Sequence, residues 1–366
     1  MTKAKKKKKI TKKKKKSETK SKDVIIQQKI NDASELNKKA ASKLEGQYAK
    51  MGKAYQASAK ILKAKMKKER AEDLKLLETA HDDTIAIVKG VYDKIETVMD
   101  LLGLDYILLE GQAVGRIEFR ADQLLIVNCP GNQIDKEGIE EIRRFVEMGG
   151  FLLTTDWAIL HILEKAFPGY VKYTGKATRD DVVSIEVVDK SHPFLMGLFA
   201  DKSNPQWWLE GSSYPIQILK KYQNEIKILV KSAELKKKYG EEPVVITFNY
   251  GKGTILHMIS HYYLQRSELR DARHKKSGKA YAEEMALSKD LKKSELEELE
   301  GVPLGEVESA YTSAQFISNI IVAKQKQNIS QKMSQTSKKV NAPTKKEEKK
   351  TKAKKKKKSK KSKKKK

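Results

Sequence analysis

Short apolar runs alternate with amphipathic helical segments between residues 84 and 155, and no other feature constrains the fold as much. The runs hold four or five residues each and carry no ionised side chain: Thr84–Val88, Tyr106–Leu109, Leu124–Val127 and Phe151–Thr155. Between them, apolar residues recur at helical spacing in 92–102 and 135–148. Strands without a polar face are typical of a parallel sheet that helices cover on both sides. We therefore predict an α/β fold, a mostly parallel sheet flanked by helices.

The second half of the chain is richer in strand patterns. Residues 182–188 and 226–230 alternate between apolar and polar side chains, which predicts two half-buried strands. Residues 244–248 and 254–259 flank Tyr250–Gly253, whose two glycines predict the turn of an antiparallel hairpin.

Charge and composition divide the chain into four parts. In order, they are a Lys-rich tail (1–22), a helical arm or coiled coil (23–80), the α/β domain (81–330) and a second Lys-rich tail (331–366). Within the α/β domain, residues 266–303 are highly charged and have few apolar anchors, so they are expected to form an excursion. Residues 306–324 regain an apolar stripe and are expected to form the closing helix of the domain.

The arm is predicted to be one long helix. Residues 24–78 contain no proline, and their apolar side chains follow steps of three and four. A helix of this length needs a surface that covers its apolar stripe. The α/β domain, a second copy of the chain in a coiled coil, and a partner protein are three alternatives that the pattern leaves open.

The tails hold nearly all of the net charge of +29. Residues 1–22 carry 13 Lys and one Glu, and residues 338–366 carry 18 Lys and two Glu. Such runs bury no apolar surface, so we expect them to be disordered. They predict salt-sensitive, sequence-independent contact with nucleic acid or another polyanion, an acidic membrane surface being an alternative. The contacting side chains would include Lys5, Lys6, Lys12, Lys13, Lys354, Lys355, Lys363 and Lys364.

Several classes of protein are excluded by what the sequence lacks. No stretch approaches the roughly 20 apolar residues of a transmembrane helix, and the amino terminus lacks the apolar core of a signal peptide. Cys129 is the single cysteine, so internal disulfides and multi-cysteine zinc sites are excluded. No phosphate-binding or dinucleotide fingerprint occurs. We expect no cofactor and a cytoplasmic location, or a nuclear or nucleolar one in a eukaryote.

Three segments carry a resemblance to a known fold. They are the helix, double glycine and strand at 142–154, the SHPFLMGL segment at Ser191–Leu198, and GKGTILHMISH at Gly251–His261. Their order resembles the class I glutamine amidotransferase-like fold, and within it the branch of ThuA-like proteins. The resemblance implies an amidotransferase/flavodoxin-like sheet with a site at the carboxyl ends of its strands. The fold also resembles the amino-terminal domains of gliding-motility and intraflagellar-transport proteins, which act in assemblies without catalysis.

The resemblance also indicates where a site would lie. The nucleophile turn of the family corresponds to Thr155–Ala158, and no cysteine is present there. Asp156 is expected to cap the following helix, with cation binding or catalysis as the alternative. His261 corresponds to the histidine of the family, and Trp157 is expected either in the cleft or in the core. The amides of Gly131 and Asn132 correspond to those that the family presents to an oxyanion.

Other chemistry-bearing residues have simpler interpretations. Cys129 lies on a different loop from the family nucleophile and has no basic neighbour in sequence, which favours a buried structural thiol. Trp207 and Trp208 are expected to be a buried plug rather than an exposed platform. His161 and His257 have no second ligand at metal spacing, so no metal site is predicted.

Three functions are compatible with these observations. The first is a catalytically silent amidotransferase-like binding or scaffold domain, held on nucleic acid or ribonucleoprotein by its tails, with residues 24–78 available for a protein partner or self-association. The second is a ThuA-like hydrolase or sugar-modifying enzyme that uses Asp156 and His261. The third is a nonspecific nucleic-acid-binding protein that acts mainly through its tails.

Overall fold

A computed structural model of the chain describes residues 51–80, 82–198, 206–263 and 271–340. The predictions for residues 1–22, 24–50 and 341–366 lie outside this part. Residues 331–340, predicted to belong to the disordered second tail, are described and continue the last helix, so that prediction was wrong for them. The strands are β1 (Ile85–Val88), β2 (Ile107–Leu109), β3 (Leu124–Val127), β4 (Phe151–Thr155), β5 (Val171–Tyr173), β6 (Asp181–Ser184), β7 (Glu186–Val187), β8 (Gln206–Leu209), β9 (Ile216–Ile218), β10 (Lys227–Lys231), β11 (Pro243–Tyr250) and β12 (Gly253–Met258).

The described residues also form nine α-helices. They are α1 (51–69), α2 (Ala71–Glu78), α3 (Ile95–Leu102), α4 (Lys136–Met148), α5 (Glu164–Ala166), α6 (Ala233–Tyr239), α7 (Gly278–Glu284), α8 (Lys293–Glu300) and α9 (Leu304–Val340). A π-helix at Ile159–Leu163 leads into α5. In the part of the chain that the structure covers, no helix is both long and apolar enough to cross a membrane.

An eight-stranded sheet forms the centre of the molecule, in the order β2-β1-β3-β4-β12-β11-β10-β7. The first five of these strands are parallel, and the last three add antiparallel neighbours at one side. The predicted α/β class and the hairpin of β11 and β12 are therefore confirmed. Because β1, β3, β4 and β12 run in the same direction, their carboxyl ends open at one edge of the sheet, where α/β proteins place their sites.

Three of the four apolar runs form buried strands as their composition predicts, whereas β2, at the edge of the sheet, leaves Ile107 and Leu108 exposed. Every residue of β1, β3 and β4 is buried. The prediction of one strand over 182–188 was wrong, because the chain changes partner at Ile185. Before that residue β6 pairs with β8 in a separate two-stranded sheet, and after it β7 pairs with β10 at the edge of the main sheet.

Helix α4 is positioned by signals at both of its ends. Asp135 caps the first turn, since its side chain accepts a hydrogen bond from Gly138 N at 2.8 Å. At the other end, Gly149 has a φ of 123°, a conformation that favours glycine, and the chain turns directly into β4. The β11–β12 hairpin then packs closely on this end of α4, because Lys252 N donates to Glu147 O at 3.0 Å.

The described part of the N-terminal helical region packs on the α/β domain. Its buried side chains belong to the same apolar core as the sheet; they are Met51, Ala54, Tyr55, Ala57, Ala59, Ile61, Leu62, Met66 and Leu77. Tyr55 Oη donates to Tyr262 O at 3.1 Å, and Arg70 Nη1 donates to Asn319 Oδ1 at 3.1 Å. Of the three surfaces left open for this helix, residues 51–78 therefore use the chain's own domain.

The charged segment after residue 270 folds onto α9. Tyr281 and Leu287 are buried, and Arg273 joins the segment to α9 by a hydrogen bond to Glu308 at 2.8 Å; it also donates to Glu284 of α7 at 2.8 Å. Helix α9 itself extends to Val340, well past the predicted 324.

The SHPFLMGL segment also docks on α9. Asn319 Nδ2 donates to Phe194 O at 3.1 Å and to Met196 O at 2.8 Å. Farther along the helix, Lys324 is only 2% exposed, and its ammonium donates to Ala121 O and Gly149 O. Helix α9 thus holds together loops that come from distant parts of the sequence.

Candidate functional site

Asp156 occupies a strained turn directly after β4. Its φ of 45° lies in the left-handed region, which a residue with a side chain seldom adopts. The prediction that Asp156 caps the following helix was wrong. The π-helix begins after Ala158 without a side-chain cap, and Asp156 Oδ1 instead accepts a hydrogen bond from Tyr214 N at 2.7 Å. The carboxylate is therefore held by a distant segment and not by its own helix.

His261 reaches the same point from the end of β12. It follows Ser260, which has a φ of 73°, so strained backbone adjoins the site on this side too. His261 Nε2 lies 3.6 Å from Asp156 Oδ2, and His261 Nδ1 lies 2.6 Å from Glu210 Oε2. The fold thus brings together the two residues that the sequence singled out, and it adds a second carboxylate on the other side of the ring.

Cys129 is the third member of this cluster. Its Sγ, a carboxylate oxygen of Asp156 and a ring nitrogen of His261 all lie within 4.8 Å of one another. The expected burial of the thiol is confirmed, because Cys129 is 0% exposed. Its backbone N–H donates to Thr155 Oγ1 at 3.0 Å, which ties the end of β3 to the end of β4. Although Cys129 has no basic neighbour in sequence, it has one in space.

Burial and neighbouring charges set the protonation of the cluster. Burial would lower the pKa of His261, but the adjoining Cys129 and Glu210 side chains outweigh it, and the pKa lies well above its ordinary value. Burial raises the pKa of Asp156 to about 7, although His261 and the Tyr214 N–H act in the opposite direction. Burial also raises the pKa of the Cys129 thiol to about 12. At neutral pH, these directions favour a neutral thiol beside an imidazolium that lies between two carboxyl groups.

Aromatic side chains cover the cluster. Trp157 is half-buried, and its indole N–H donates to Ser212 O at 2.7 Å. Tyr214 stacks on Trp157 with a centroid distance of 5.0 Å, and Tyr173 stacks on Tyr214 at 3.7 Å. Tyr92 lies against Trp157 at 5.1 Å. Under this layer Asp156 is 1% exposed and His261 is 7% exposed, so the site is closed to bulk solvent.

Besides Asp156 and Glu210, a further carboxylate, that of Asp93, lies beside the cluster. Asp93 follows β1 and is 0% exposed. Its side chain accepts hydrogen bonds from the backbone N–H groups of Tyr262, Tyr263 and Lys94 at 2.9, 3.1 and 2.8 Å. Burial raises the pKa of Asp93, while the charge of His261 and these hydrogen bonds oppose the rise. Asp93 therefore holds the chain that follows His261 in place.

Gly131 and Asn132 follow Cys129 closely in sequence but line a small pocket of their own. They line a pocket of about 10 Å³ at the ends of β1 and β3, together with Lys89 and Pro130 among others. A volume of this size corresponds to about one water molecule. Neither Asp156 nor His261 lines this pocket, so the predicted oxyanion amides and the predicted side chains do not share one cavity.

Trp207 and Trp208 in β8 are buried, as predicted. Trp207 is 9% exposed and donates to Ile259 O at 2.9 Å, two residues before His261. Trp208 is 7% exposed and donates to Asp180 Oδ1 at 3.1 Å. They fix strand β8, which leads directly into Glu210.

Glu210 and Asp93 are the site residues that the sequence analysis missed. Glu210 lies 51 positions from its histidine partner, and Asp93 lies 169 positions from Tyr262. Glu210 stands between an apolar strand and a Gly-Ser-Ser turn, where an acidic residue carries no signal. Asp93 precedes a helix, and that position favours the interpretation of a helix cap.

Comparisons with known proteins add a likeness of fold. No protein-family model matches the chain, and no curated protein matches it. Among solved structures, a cytoplasmic protein from Salmonella typhimurium is 14% identical, with 49% of this chain and 88% of that chain covered and a TM-score of 0.36. A ThuA-like protein from Parabacteroides merdae is 16% identical, with 48% and 78% covered and a TM-score of 0.34.

A third similar structure belongs to a much longer protein. The cold-adapted β-galactosidase from Rahnella sp. R3 is 15% identical, with 48% of this chain but only 28% of that chain covered and a TM-score of 0.32. A ThuA-like protein is thus among the similar structures, at identities and TM-scores too low to assign a family or an activity to this chain.

Proposed function

We propose that this chain is a catalytically silent amidotransferase-like binding domain that its Lys-rich tails hold on nucleic acid or ribonucleoprotein. The observation that carries the proposal is the closure of the cleft. The segment from Glu210 to Tyr214 lies over the strand ends, and the carboxylate of Asp156, in the turn after β4, accepts a hydrogen bond from the Tyr214 N–H of that segment. Because the Asp156 side chain anchors the Glu210–Tyr214 segment, it is not accessible to a substrate.

The chemistry of the turn supports the same conclusion. An amidotransferase turn exposes a cysteine whose pKa is lowered, whereas this turn holds an aspartate, and the thiol of Cys129 is buried with a raised pKa. Burial disfavours the thiolate, which is the nucleophilic form. The cluster is therefore suited to holding the strand ends together rather than to attacking an amide.

The charge distribution supports the role of the tails. With 31 Lys in residues 1–22 and 338–366, the rest of the chain is left with 46 basic and 45 acidic side chains. A nearly neutral domain has little net attraction for a phosphate backbone. Affinity for RNA or DNA would come from the tails, through counterion release, in the cytoplasm or nucleus where such polyanions occur.

Binding measurements on truncated chains test this proposal. The full chain and a chain of residues 23–340 would be titrated with duplex DNA and single-stranded RNA at 50 to 200 mM salt. For six to ten phosphate contacts, we expect the full chain to lose affinity by roughly 10³-fold or more over this range. The truncated chain should bind weakly at every salt concentration. A full-length variant with Gln at the tail lysines serves as a control for chain length, and it should behave like the truncated chain.

Two results would contradict the proposed division of roles between the tails and the domain. Equal affinity and equal salt dependence of the full and truncated chains would place polyanion binding in the domain. Full affinity of the two tail peptides alone, together with a domain that binds no protein from its own cell extract, would favour the third function, in which the tails act alone.

One observation favours the hydrolase as a second candidate. Glu210, His261 and Asp156 form a carboxylate–imidazole–carboxylate series, and the turn that carries Asp156 is strained. Such a series moves protons in acid–base catalysis, and backbone strain concentrates at functional sites. For this candidate, the Glu210–Tyr214 segment would have to open before a substrate enters.

Activity assays separate the two candidates. Purified full-length protein would be assayed on glutamine, on activated esters and on aryl glycosides, beside Asp156→Asn and His261→Gln. The binding function predicts no turnover above that of either variant. Turnover that both substitutions abolish, and that His192→Gln leaves unchanged, would replace it with the hydrolase, since His192 lies in a separate turn where its ring accepts from Phe194 N at 3.3 Å.

A further inference from the structure

We propose that Cys129, Asp156 and His261 together bind one transition-metal ion, and that Zn²⁺ suits the three ligands best. The sequence predicted no metal site, because no two of these residues lie at a metal-binding spacing. They meet only because β3, β4 and β12 end side by side at one edge of the sheet. The inference does not depend on whether the domain is catalytically silent.

The distances suit a tetrahedral ion. With zinc–ligand bonds of about 2.0–2.3 Å, neighbouring ligand atoms lie roughly 3.4 Å apart. His261 Nε2 and Asp156 Oδ2 are 3.6 Å apart, which already matches such an edge. The three candidate ligand atoms lie within 4.8 Å of one another, so small side-chain rotations complete the triangle. Three protein ligands leave a fourth position for water.

His261 is oriented as a metal ligand would be. Its Nδ1 lies 2.6 Å from the Glu210 carboxylate, and that contact leaves Nε2 to face the other two side chains. Metal-binding histidines generally donate their second ring N–H to a carboxylate or carbonyl in this way. The ring is only 7% exposed, and no contact of Nε2 with a described residue has full hydrogen-bond geometry, since its charged neighbour Asp156 Oδ2 lies 3.6 Å away. A metal ion between Nε2, Asp156 and Cys129 would bind all three side chains.

The two carboxylate oxygens of Asp156 also have different contacts. Its Oδ1 accepts the hydrogen bond from Tyr214 N, while its Oδ2 faces His261. The hydrogen bond from Tyr214 thus fixes Oδ1, and Oδ2 remains available to bind an ion. The strained backbone at Asp156 aims the side chain toward the strand ends, where a regular helix start would turn it away.

The charges of the cluster favour a divalent cation. A thiolate and a carboxylate would be two buried anions, and one divalent ion neutralises both. Binding breaks the S–H bond of Cys129 and the Nε2–H bond of His261, forms a sulfur–metal and a nitrogen–metal bond, and releases both protons to solvent. Without the ion, a proton on Nε2 takes its place and makes His261 an imidazolium between Asp156 and Glu210. Metal and proton therefore compete for the same lone pair.

The ligand types narrow the choice of ion. Thiolate and imidazole select zinc and neighbouring transition metals, whereas Mg²⁺ and Ca²⁺ require oxygen ligands. Bound there, the ion would join the ends of β3, β4 and β12 beneath the aromatic layer. We therefore expect the folded chain to be stabilised by zinc and insensitive to magnesium.

Metal loading of the full-length chain tests the inference. Protein purified without a histidine tag would be stripped with a chelator, refilled with Zn²⁺ or Co²⁺, and assayed by elemental analysis, melting temperature and absorption. We expect one ion per chain, a higher melting temperature with Zn²⁺ but not with Mg²⁺, and a thiolate-to-cobalt charge-transfer band. Because the chain has a single cysteine, that band can come only from Cys129.

Variants separate this site from nonspecific metal binding. Cys129→Ser should lose the charge-transfer band, and Asp156→Asn and His261→Gln should each weaken binding at least tenfold. Glu210→Gln, which changes only a positioning residue, should weaken binding by about 10- to 100-fold while the band persists. His192→Gln is the matched control and should bind as the unmodified chain does.

Two outcomes would overturn the inference. The first is less than half an ion per chain after refilling, with no charge-transfer band. The second is binding that His261→Gln and Asp156→Asn leave unchanged while circular dichroism shows both variants folded. If Cys129→Ser does not fold, the band in the unmodified chain and its loss in these two variants still decide the question.

Discussion

At the scale of single residues, one buried group and one half-buried group give the stability of this protein opposite dependences on pH. His257 is 0% exposed in β12, where its Nδ1 lies 2.9 Å from Thr154 Oγ1, and burial lowers its pKa to about 3. Glu96 in α3 accepts a hydrogen bond from Asn128 Nδ2 at 2.8 Å, and burial raises its pKa to about 7. Each group can be tested against an uncharged substitute.

His257→Gln should reduce the loss of stability in acid. The folded pKa of His257 lies below the ordinary value of 6.5, so below pH 6.5 the unfolded chain binds the extra proton. The unmodified chain therefore loses up to about 1.4 kcal/mol of unfolding free energy per pH unit between pH 6.5 and 3 through this group. Urea unfolding at a series of pH values measures the difference between the two proteins. Parallel curves across that range would contradict the prediction.

Glu96→Gln should act in the opposite direction. The folded pKa of Glu96 lies above its ordinary value of 4.5, so its contribution is present below pH 4.5 and is lost as the pH rises to about 7. The Gln amide oxygen can still accept from Asn128, which makes the pair well matched. We expect the stability of the variant relative to the unmodified chain to increase over this range. A difference that stays constant between pH 4.5 and 7 would refute the assigned pKa.

The site shows what sequence reasoning reaches at this scale. Asp156 and His261 were found because their segments resemble the nucleophile turn and the histidine-bearing strand of the amidotransferase-like fold. Glu210 and the proximity of Cys129 were not found, because they depend on how a long connection returns over the sheet. The role of Asp156 was mistaken for the same reason, since its hydrogen-bond donor, Tyr214, lies 58 residues away.

At the scale of elements, two glycines allow a matched comparison. A Cβ at Gly253, where β12 begins, would collide with the backbone carbonyl oxygens of Val146 and Gly150. A Cβ at Gly52, the second described residue of α1, would have no described atom within 4 Å. The first glycine is needed for the close approach of the hairpin to α4. Gly52 lowers the stability of the helix, and the structure shows no close packing that would require a glycine there.

Gly253→Ala should therefore destabilise the protein by about 3 kcal/mol, the scale of an overpacked core position. Gly52→Ala should stabilise it by roughly 0.5–1 kcal/mol, the difference between the two residues in a helix interior. Thermal or urea unfolding of the two variants beside the unmodified chain measures both effects. Equal effects of the two substitutions would show that the hairpin does not require a glycine at its start.

Elements with a strong local pattern were predicted with accuracy. The apolar runs became β1 to β4, and the capped, amphipathic segment became α4. The segment 182–188 was not predicted correctly, because alternation shows a half-buried strand but not which sheet it joins. The extension of α9 beyond residue 324 was missed because its last turns have no apolar stripe.

At the scale of the whole molecule, the sheet and α1 form one core. Five large side chains of α1 are each at most 1% exposed: Met51, Tyr55, Ile61, Leu62 and Met66. At about 1.5–3 kcal/mol for each buried side chain, their removal would cost roughly 10 kcal/mol. A typical domain has a stability of about 5–15 kcal/mol in total. The domain is therefore expected to need α1 in order to fold.

A chain that begins at residue 80 should consequently fail to unfold cooperatively, whereas one that begins at residue 51 should melt as the full chain does. Calorimetry and near-ultraviolet circular dichroism distinguish the two. Cooperative melting of the shorter chain at an unchanged temperature would mean that α1 is a separate arm. The composition of residues 24–78 could not decide this, because an apolar stripe does not reveal which surface covers it.

The burial of Lys324 makes its chemical labelling a measure of how often α9 separates from the sheet. Its ammonium is enclosed by α9 and donates to carbonyl oxygens at Ala121 and Gly149, and burial lowers its pKa to about 8. Amine-specific acylating reagents should modify exposed lysines at once and Lys324 only when α9 lifts from the sheet. The rate at which mass spectrometry finds this one residue labelled would then report, without any mutation, how often the closing helix opens.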